Sequence, residues 1–280
     1  MPRALPFVLL AATAVAQTPA RLARPADLPL RAAAARVLER ALEHEGDGLA
    51  AERLRGAALS AVVHLPAGSA AHSRARAIAA SDDDVEGLRL AAADLAADLR
   101  FRPVAEADLP EGVPGFLALD ELEIRAYPSY RMVRASMQRG SMVAFMPLLR
   151  HIQEREIAMT TPVQVDYDPA RDRPATMAFL YGSPELGPEG TFGRTEVVDV
   201  PATTVLTVGS RGYDRQDRLT ELRARLDAWL DASDEWRAAG PLRVMSYNSP
   251  SVGGDRRYFE VQLPIEPRQP APARDVRESI

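Results

Sequence analysis

Residues 123–136 read EIRAYPSYRMVRAS, and a related stretch, EVVDVPATTVLTVGS, occupies residues 196–210. An offset of 73 residues aligns the leading glutamates and the central prolines of the two stretches. β-Branched and aromatic residues, which favour strands, flank each proline, and the proline itself favours a turn. Each stretch therefore predicts two strands around a proline turn, and the pair predicts an internal repeat.

The same elements follow each copy of this stretch. Apolar residues at helical spacing predict a helix over Ser141–Gln153 and another over Asp217–Ser233. Two strand candidates then follow each helix: Ile157–Tyr167 and Met177–Tyr181 in the first half, and Leu242–Tyr247 and Tyr258–Ile265 in the second. Residues 119–266 are therefore predicted to form an α+β domain of two β-α-β-β repeats, with a largely antiparallel sheet and two helices on it.

A helical segment is predicted ahead of this domain, over residues 30–101. Apolar residues recur at helical spacing in Leu30–Leu42, Leu54–Val62 and Val85–Leu99. We expect a small all-helical hairpin or three-helix unit that packs on the repeat domain, because its apolar stripes are narrow and rich in alanine. Proline-rich segments without an apolar period lie around these units: residues 17–29 and 102–118, predicted as linkers, and residues 267–280, predicted as a disordered tail.

The first 16 residues have the features of a secretory signal peptide. Arg3 supplies a positive charge, residues 4–15 are apolar except for Thr13, and Ala14-Val15-Ala16 suits cleavage before Gln17. The apolar run is shorter than the roughly 20 residues that span a bilayer. We therefore expect an exported protein, periplasmic or secreted and not integral to a membrane; a disordered apolar N-terminus is the alternative. The chain has no cysteine, which excludes disulfides and a lipid anchor on cysteine.

Composition and motifs argue against two other classes of function. The net charge is −5 and no cluster of Lys and Arg stands out, whereas nucleic-acid-binding proteins show a basic face. The sequence has no cysteine nucleophile, no Gly-x-Ser-x-Gly elbow, no glycine-rich phosphate loop and no His-x-x-x-His pair. The acidic run at residues 82–84 begins a helix, where carboxylates favour the positive end of the helix dipole. We predict neither an enzyme nor a nucleic-acid-binding protein.

Four motifs in the repeat domain resemble the SOUL haem-binding family. They are EIRxYPxY at 123–130, IAMTTPV at 157–163, YNSP at 247–250 and YFEVQLP at 258–264. Their order and spacing are similar to the family's, and the helical segment lies outside the resemblance. The resemblance implies a barrel-like sheet of two β-α-β-β repeats with two helices, and an apolar cleft that binds haem or a related tetrapyrrole.

The helix at 141–153 is the candidate wall of this cleft. Its methionines suit an irregular apolar partner, and the helix has more apolar surface than one sheet face needs. The predicted apolar stripe consists of Met142, Phe145, Met146 and Leu149, with Leu148 and Ile152 beyond it. The resemblance places Arg150 near a propionate, and Tyr247, at a strand end, is a further candidate for lining the pocket. The alternative is a helix buried on both sides as part of the core.

Two residues of this helix leave alternatives open. Pro147 in mid-helix would remove a backbone hydrogen bond at a cost of about 3 kcal/mol, unless the helix begins near Ala144. His151 is the candidate axial ligand, since a neutral imidazole binds iron well; a capping or hydrogen-bonded surface histidine is the other interpretation. Some relatives carry a histidine where this chain has Ala126, so any haem site here would rely on apolar packing, Tyr, Met or His151.

These observations favour an exported, monomeric or weakly associating module that binds haem, a related tetrapyrrole or another flat apolar small molecule. The alternative is an effector-sensing or protein-interaction module of the same fold without haem.

Overall fold

The computed structural model describes residues 22, 27–44, 48–170 and 173–268. The predicted signal peptide and residues 269–280 of the predicted tail lie outside the described residues. Within the described part of the chain, no helix combines the length and the apolar character needed to cross a membrane.

The N-terminal unit consists of four helices: α1 (Asp27–Leu42), α2 (Ala50–His64), α3 (Ala70–Ala80) and α4 (Val85–Arg100). The sequence pattern indicates two or three helices here and does not predict α3. The buried residues of α3 are Ala71, Ala75 and Ile78, so its apolar period is weak. Its start is set by Ser69, whose hydroxyl accepts the N–H of His72 at 3.1 Å and caps the helix.

These four helices share an apolar core of their own. Leu38, Leu54, Leu88 and Leu95 are fully buried in it, and small alanines between them let the helices approach closely. Among the described residues, this cluster contains none from the rest of the chain. The helical unit and the sheet therefore have separate cores, and other interactions join them.

The rest of the described chain forms one antiparallel sheet with two helices, α5 (Ser141–Glu154) and α6 (Gln216–Asp231). Its ten strands are β1 (Leu122–Tyr127), β2 (Tyr130–Ser136), β3 (Val163–Asp168), β4 (Arg173–Leu180), β5 (Gly190–Phe192), β6 (Thr195–Val200), β7 (Thr203–Arg211), β8 (Trp236–Ala238), β9 (Arg243–Ser246) and β10 (Tyr258–Pro267). The predicted α+β class, with an antiparallel sheet and a helical segment ahead of it, is confirmed.

The strands lie in the order β1-β7-β10-β9-β3-β4-β2-β6-β5, and β8 also pairs with β10. The strands around each proline turn do not pair with each other; instead β1 pairs with β7, and β2 with β6. Apart from β5 and β8, this order is symmetric about the central pair of β3 and β9. Each strand of the first half (β1, β2, β3, β4) occupies the same position, counted from its own end of the sheet, as its counterpart in the second half (β6, β7, β9, β10). β1 and β5 lie at opposite ends, and the described pairings do not close the sheet into a barrel.

Alternation along the strands gives the sheet two different faces. On the helix face, Leu206 and Val208 of β7 pack in the same cluster as Leu222 and Leu226 of α6. α5 covers the other half of this face, over β2, β4 and β6. The opposite face, called here the polar face, carries hydrogen-bonding and aromatic side chains among apolar ones such as Val205 and Met245.

The polar face is organised around Glu260, whose side chain has no exposed surface. Nη1 of Arg125 lies 3.0 Å from Oε1 of Glu260. The hydroxyl of Tyr258 donates to Oε1 at 2.8 Å, and the amide of Gln262 donates to Oε2 at 2.8 Å. Burial alone would lower the pKa of Arg125, but the carboxylates of Glu260 and Glu123 raise it above its ordinary value. The guanidinium therefore stays charged although it is buried.

Residues 101–119, called here the cover segment, shield the polar face from water without forming a helix or a strand. The carbonyl of Gly115 accepts from Arg125 at 2.6 Å, and the N–H of Leu117 donates to the hydroxyl of Tyr258 at 3.0 Å. The side chain of Asn248 donates to the carbonyl of Val104 at 2.8 Å. This segment, which contains the predicted linker, connects the two units and also completes the second.

We predict that Glu260→Gln lowers the free energy of unfolding by about 3–5 kcal/mol, because it leaves a buried guanidinium without its main counter-ion. Glu196→Gln is the matched control: it breaks the half-exposed pair with Arg134 and should cost less than about 1 kcal/mol. Urea unfolding followed by circular dichroism measures both. Equal losses in the two variants would contradict this account of the polar face.

Candidate functional site

The candidate helix, α5, runs unbroken from Ser141 to Glu154 with Pro147 in its interior. The alternative in which the helix begins near Ala144 is wrong: Gly140 precedes the first turn with φ of 99°, a conformation that glycine adopts without strain. Proline lacks an N–H, so the carbonyl of Val143 loses its usual partner within the helix. Both residues line the same surface groove.

The predicted stripe of α5 is divided between two faces. Met142 and Met146 point outward, with 65% and 51% of their surface exposed. Phe145 and Leu149 are half-buried against the sheet, and the ring of Phe145 meets that of Phe179 edge-on at 5.2 Å. The buried face consists of Ala144, Leu148, His151 and Ile152. The structure therefore separates the two methionines from the packing that holds the helix in place.

The exposed methionines line a groove of about 780 Å³ between α5 and the turn that joins β5 to β6. We call it the α5 groove. Pro147 and His151 contribute from the helix, and residues 192–195 form the opposite wall. The volume lies within the roughly 300–1,000 Å³ typical of small-molecule pockets.

Three arginines border the α5 groove: Arg150 and Arg155 near the end of α5, and Arg194 in the turn. The guanidinium of Arg155 lies 4.4 Å from the centre of the Phe192 ring, in a cation–π arrangement. Glu154 is the acidic residue of the lining, 4.0 Å from Arg155. The groove thus combines an apolar wall with an excess of positive charge at its edge.

Both ring nitrogens of His151 have partners inside the protein. The hydroxyl of Thr195 donates to the carbonyl of Phe192 at 2.9 Å, so it accepts from Nδ1 of His151, 3.1 Å away. Nε2 then accepts from the hydroxyl of Tyr181 at 2.8 Å. Burial, and secondarily the charge of Arg155, lower the pKa of His151. His151 is therefore a buried neutral histidine, not a capping residue on the surface.

Tyr247 does not lie near α5. It is buried on the polar face, where its ring centre is 5.0 Å from that of Phe116 and 5.1 Å from that of Tyr258. Its hydroxyl has no hydrogen-bond partner among the described residues, and burial raises its pKa well above the ordinary value. The strand-end position of Tyr247 in the sequence did not reveal which face of the sheet it occupies.

Several residues of the groove lie outside every motif of the sequence. Phe192 ends β5 and Arg194 lies in the turn that follows, about 40 residues beyond α5, and no pattern in the sequence connects these residues with the helix. Tyr181 ends a predicted strand, but its contact with His151 depends on the packing of α5. Within the described ranges, no group of three or more His, Cys, Asp or Glu is placed to hold a metal ion.

Residues 115–264 match the sequence profile of the SOUL heme-binding protein family. The chain belongs to this family. The match covers the sheet, both of its helices and the end of the cover segment, and it confirms the resemblance seen in the motifs. Among curated proteins, no sequence matches the chain.

Solved structures resemble about half of the chain at low identity. The C-terminal domain of EcmrR is 14% identical, with a TM-score of 0.39, over 52% of this chain and 97% of that one. A hydrolase from Listeria innocua is 12% identical, with a TM-score of 0.42, over 54% and 94%. SAV2435 bound to tetraphenylphosphonium is 6% identical, with a TM-score of 0.32, over 52% and 94%.

The burial of neutral His151 predicts a loss of stability in mild acid. Its folded-state pKa lies below the ordinary 6.5, so its contribution is complete above that pH and falls as pH drops toward the lower folded value. The free energy of unfolding should therefore decrease as the pH falls below about 7 and until it passes the folded-state pKa, by at most about 1.4 kcal/mol per pH unit from this group.

Urea unfolding across this pH range tests the assignment. His151→Gln should flatten the decrease, whereas His44→Gln, at an exposed position on the helical unit, should leave it unchanged. A decrease of the same size in wild type and His151→Gln would assign the effect to other groups.

Proposed function

We propose that this protein binds haem or a related tetrapyrrole in the α5 groove, without transforming it. The observation that carries the proposal is the exposure of Met142 and Met146 in a pocket bordered by three arginines. Membership of the SOUL heme-binding family supports the same class of ligand. Other members of the class, including metal-free porphyrins, have the same flat apolar ring and acidic side chains.

Apolar packing supplies the main part of the binding free energy in this proposal. Each 100 Å² of apolar surface removed from water contributes about 2.5 kcal/mol before the cost of association. The thioether side chains of Met142 and Met146 are flexible and polarizable, so they adapt to a flat ring. Pro147 and Phe192, on opposite walls, extend the apolar contact.

The arginines give the groove its preference for acidic ligands. Arg150 and Arg194 are exposed, and neither has a carboxylate partner among the described residues. A guanidinium binds a carboxylate through charge-assisted hydrogen bonds. We therefore assign these two residues to the propionate groups of the ligand.

The groove is better suited to packing against the macrocycle than to ligating its iron. Haem supplies iron when bound, but ligation by His151 would require the loss of its bond to Tyr181 or to Thr195. The methionine sulfurs are the other candidate ligands from α5. We propose that packing dominates and that His151 acts by supporting the wall of the groove.

A hemin titration followed at the Soret band tests this proposal. We expect a saturable shift with the wild-type protein. Met146→Glu should weaken binding at least about tenfold, since it places a charge against the ring and removes apolar contact. Met146→Leu should stay within about threefold of wild type if packing, and not sulfur ligation, holds the ring. Met159→Glu changes an exposed methionine outside the groove and is the matched control.

The roles of Arg150 and His151 are tested in the same titration. Arg150→Ala should weaken the binding of hemin and leave that of hemin dimethyl ester, which has no free carboxylates, unchanged. His151→Gln should keep most of the affinity. Loss of binding in His151→Gln but not in Met146→Glu would show that axial ligation dominates. The lack of any saturable shift below about 100 µM hemin would favour the alternative, an effector-sensing or protein-interaction module without haem.

We also propose that the protein is exported and that cleavage follows Ala16. The support is the sequence of residues 1–16, with one positive charge, an uncharged apolar run and Ala-Val-Ala at its end. Expression in an exporting bacterial host should yield a periplasmic or secreted protein whose mass corresponds to a chain beginning at Gln17. Ala16→Arg should block cleavage, and intact Met1 on the exported wild-type protein would contradict the proposal.

A further inference from the structure

The helical unit and the SOUL domain meet through charged groups. The pair between Arg31 of α1 and Glu121 is buried, with 2.6 Å between Nη1 and Oε1. Nη2 of Arg31 also donates to the carbonyl of Leu119 at 3.3 Å. Because the two apolar cores do not merge, these polar contacts define the relative position of the two units.

A cleft of about 1130 Å³ lies beside this junction. Helices α3 and α4 form one wall, and residues 119–122, the end of β7 and α6 form the other. We call it the interunit cleft. Ligand pockets occur preferentially at such junctions between units. It is separate from the α5 groove, with which it shares no lining residue.

Four partly buried arginines converge in the depth of the interunit cleft. Arg74 comes from α3, Arg211 from the end of β7, and Arg218 and Arg225 from α6. They share two aspartates of low exposure. Asp98, 8% exposed, pairs with Arg74 and Arg211. Asp120, 16% exposed, pairs with Arg74, Arg218 and Arg225.

Around the cleft the arginines outnumber the carboxylates by one: Arg31, Arg74, Arg76, Arg211, Arg218 and Arg225 face Asp94, Asp98, Asp120, Glu121 and Glu221. Two of these carboxylates, Asp94 and Glu221, are more than half exposed, so water and salt weaken their pairs with the arginines. The pair of Arg31 and Glu121 is neutral in sum. At the rim, Arg76 is exposed and has no partner among the described residues. Low-dielectric walls around an excess of like charge concentrate counter-ions.

We propose that the interunit cleft binds a small multivalent oxyanion, either inorganic phosphate or a phosphate ester. The guanidinium fork matches the geometry of phosphate oxygens. Asp94 bridges Arg74 and Arg211, which belong to different units. In this proposal the ligand anion displaces the Asp94 carboxylate and pairs with the same two arginines. A bound dianion strengthens the junction, because it pairs with arginines from both units at once.

Calorimetric titration of the full chain at constant ionic strength tests this proposal, with inorganic phosphate and glycerol 3-phosphate as probes. We expect saturable binding of at least one of them below about 10 mM. Equal affinities assign the free anion as the ligand class, and tighter binding of the ester assigns a phosphate ester. The variants below are then titrated with the tighter probe.

Two variants with opposite expected effects separate a ligand site from a structural junction. Arg76→Ala should weaken binding about threefold or more, and Asp94→Asn should strengthen it about threefold or more. The controls change the same charges outside the cleft: Arg40→Ala on α1 and Glu86→Gln on α4, both exposed, should leave affinity unchanged. The absence of saturable binding of both probes, or variants that match their controls, would overturn the proposal and leave the arginines with a structural role only.

Discussion

The ion pair between Arg125 and Glu260 is the interaction on which the rest of the SOUL domain depends. It joins the edge strand β1 to β10, and Arg125 also binds the carbonyl of Gly115 in the cover segment. Burying either charge alone would cost several kcal/mol. The two charges neutralise each other only if β1 and β10 keep their register and the cover segment keeps its position. The helix face needs no such specificity, since apolar side chains pack in many similar ways.

Much of this fold follows from local patterns in the sequence. The β-branched and aromatic residues around Pro128 and Pro201 predicted four strands, and the leucine spacing of α6, from Leu219 to Leu230, matches the side that it buries. Helix α3 was not predicted, because alanine gives little contrast in hydrophobicity between the buried and the exposed face of a helix. The role of the cover segment was not predicted for another reason. Its position depends on hydrogen bonds between its main chain and side chains distant in sequence, and such bonds leave no periodic pattern in the sequence.

The candidate site was less predictable than the fold. Successive helical residues are separated by about 100°, so a broad apolar surface on α5 allows several choices of inner face. In the structure, Ala144, Leu148 and Ile152 pack against the sheet, and Met142 and Met146 therefore point outward. The second wall of the groove comes from a turn without a motif. The sequence identified His151 as a candidate ligand, but it did not identify its partners, Tyr181 directly after β4 and Thr195 at the start of β6.

The cover segment also bears on how such a protein is assembled in evolution. The family match begins at residue 115, whereas the layer over the polar face begins at Phe101. The matched region therefore keeps the contacts of Gly115 and Leu117 with the ion-pair network, and it leaves out the apolar residues Phe101, Leu109 and Val113 that also cover this face. A recombination breakpoint between residues 101 and 115 would transfer a recognisable domain with its ion pair bound but with part of its apolar cover missing.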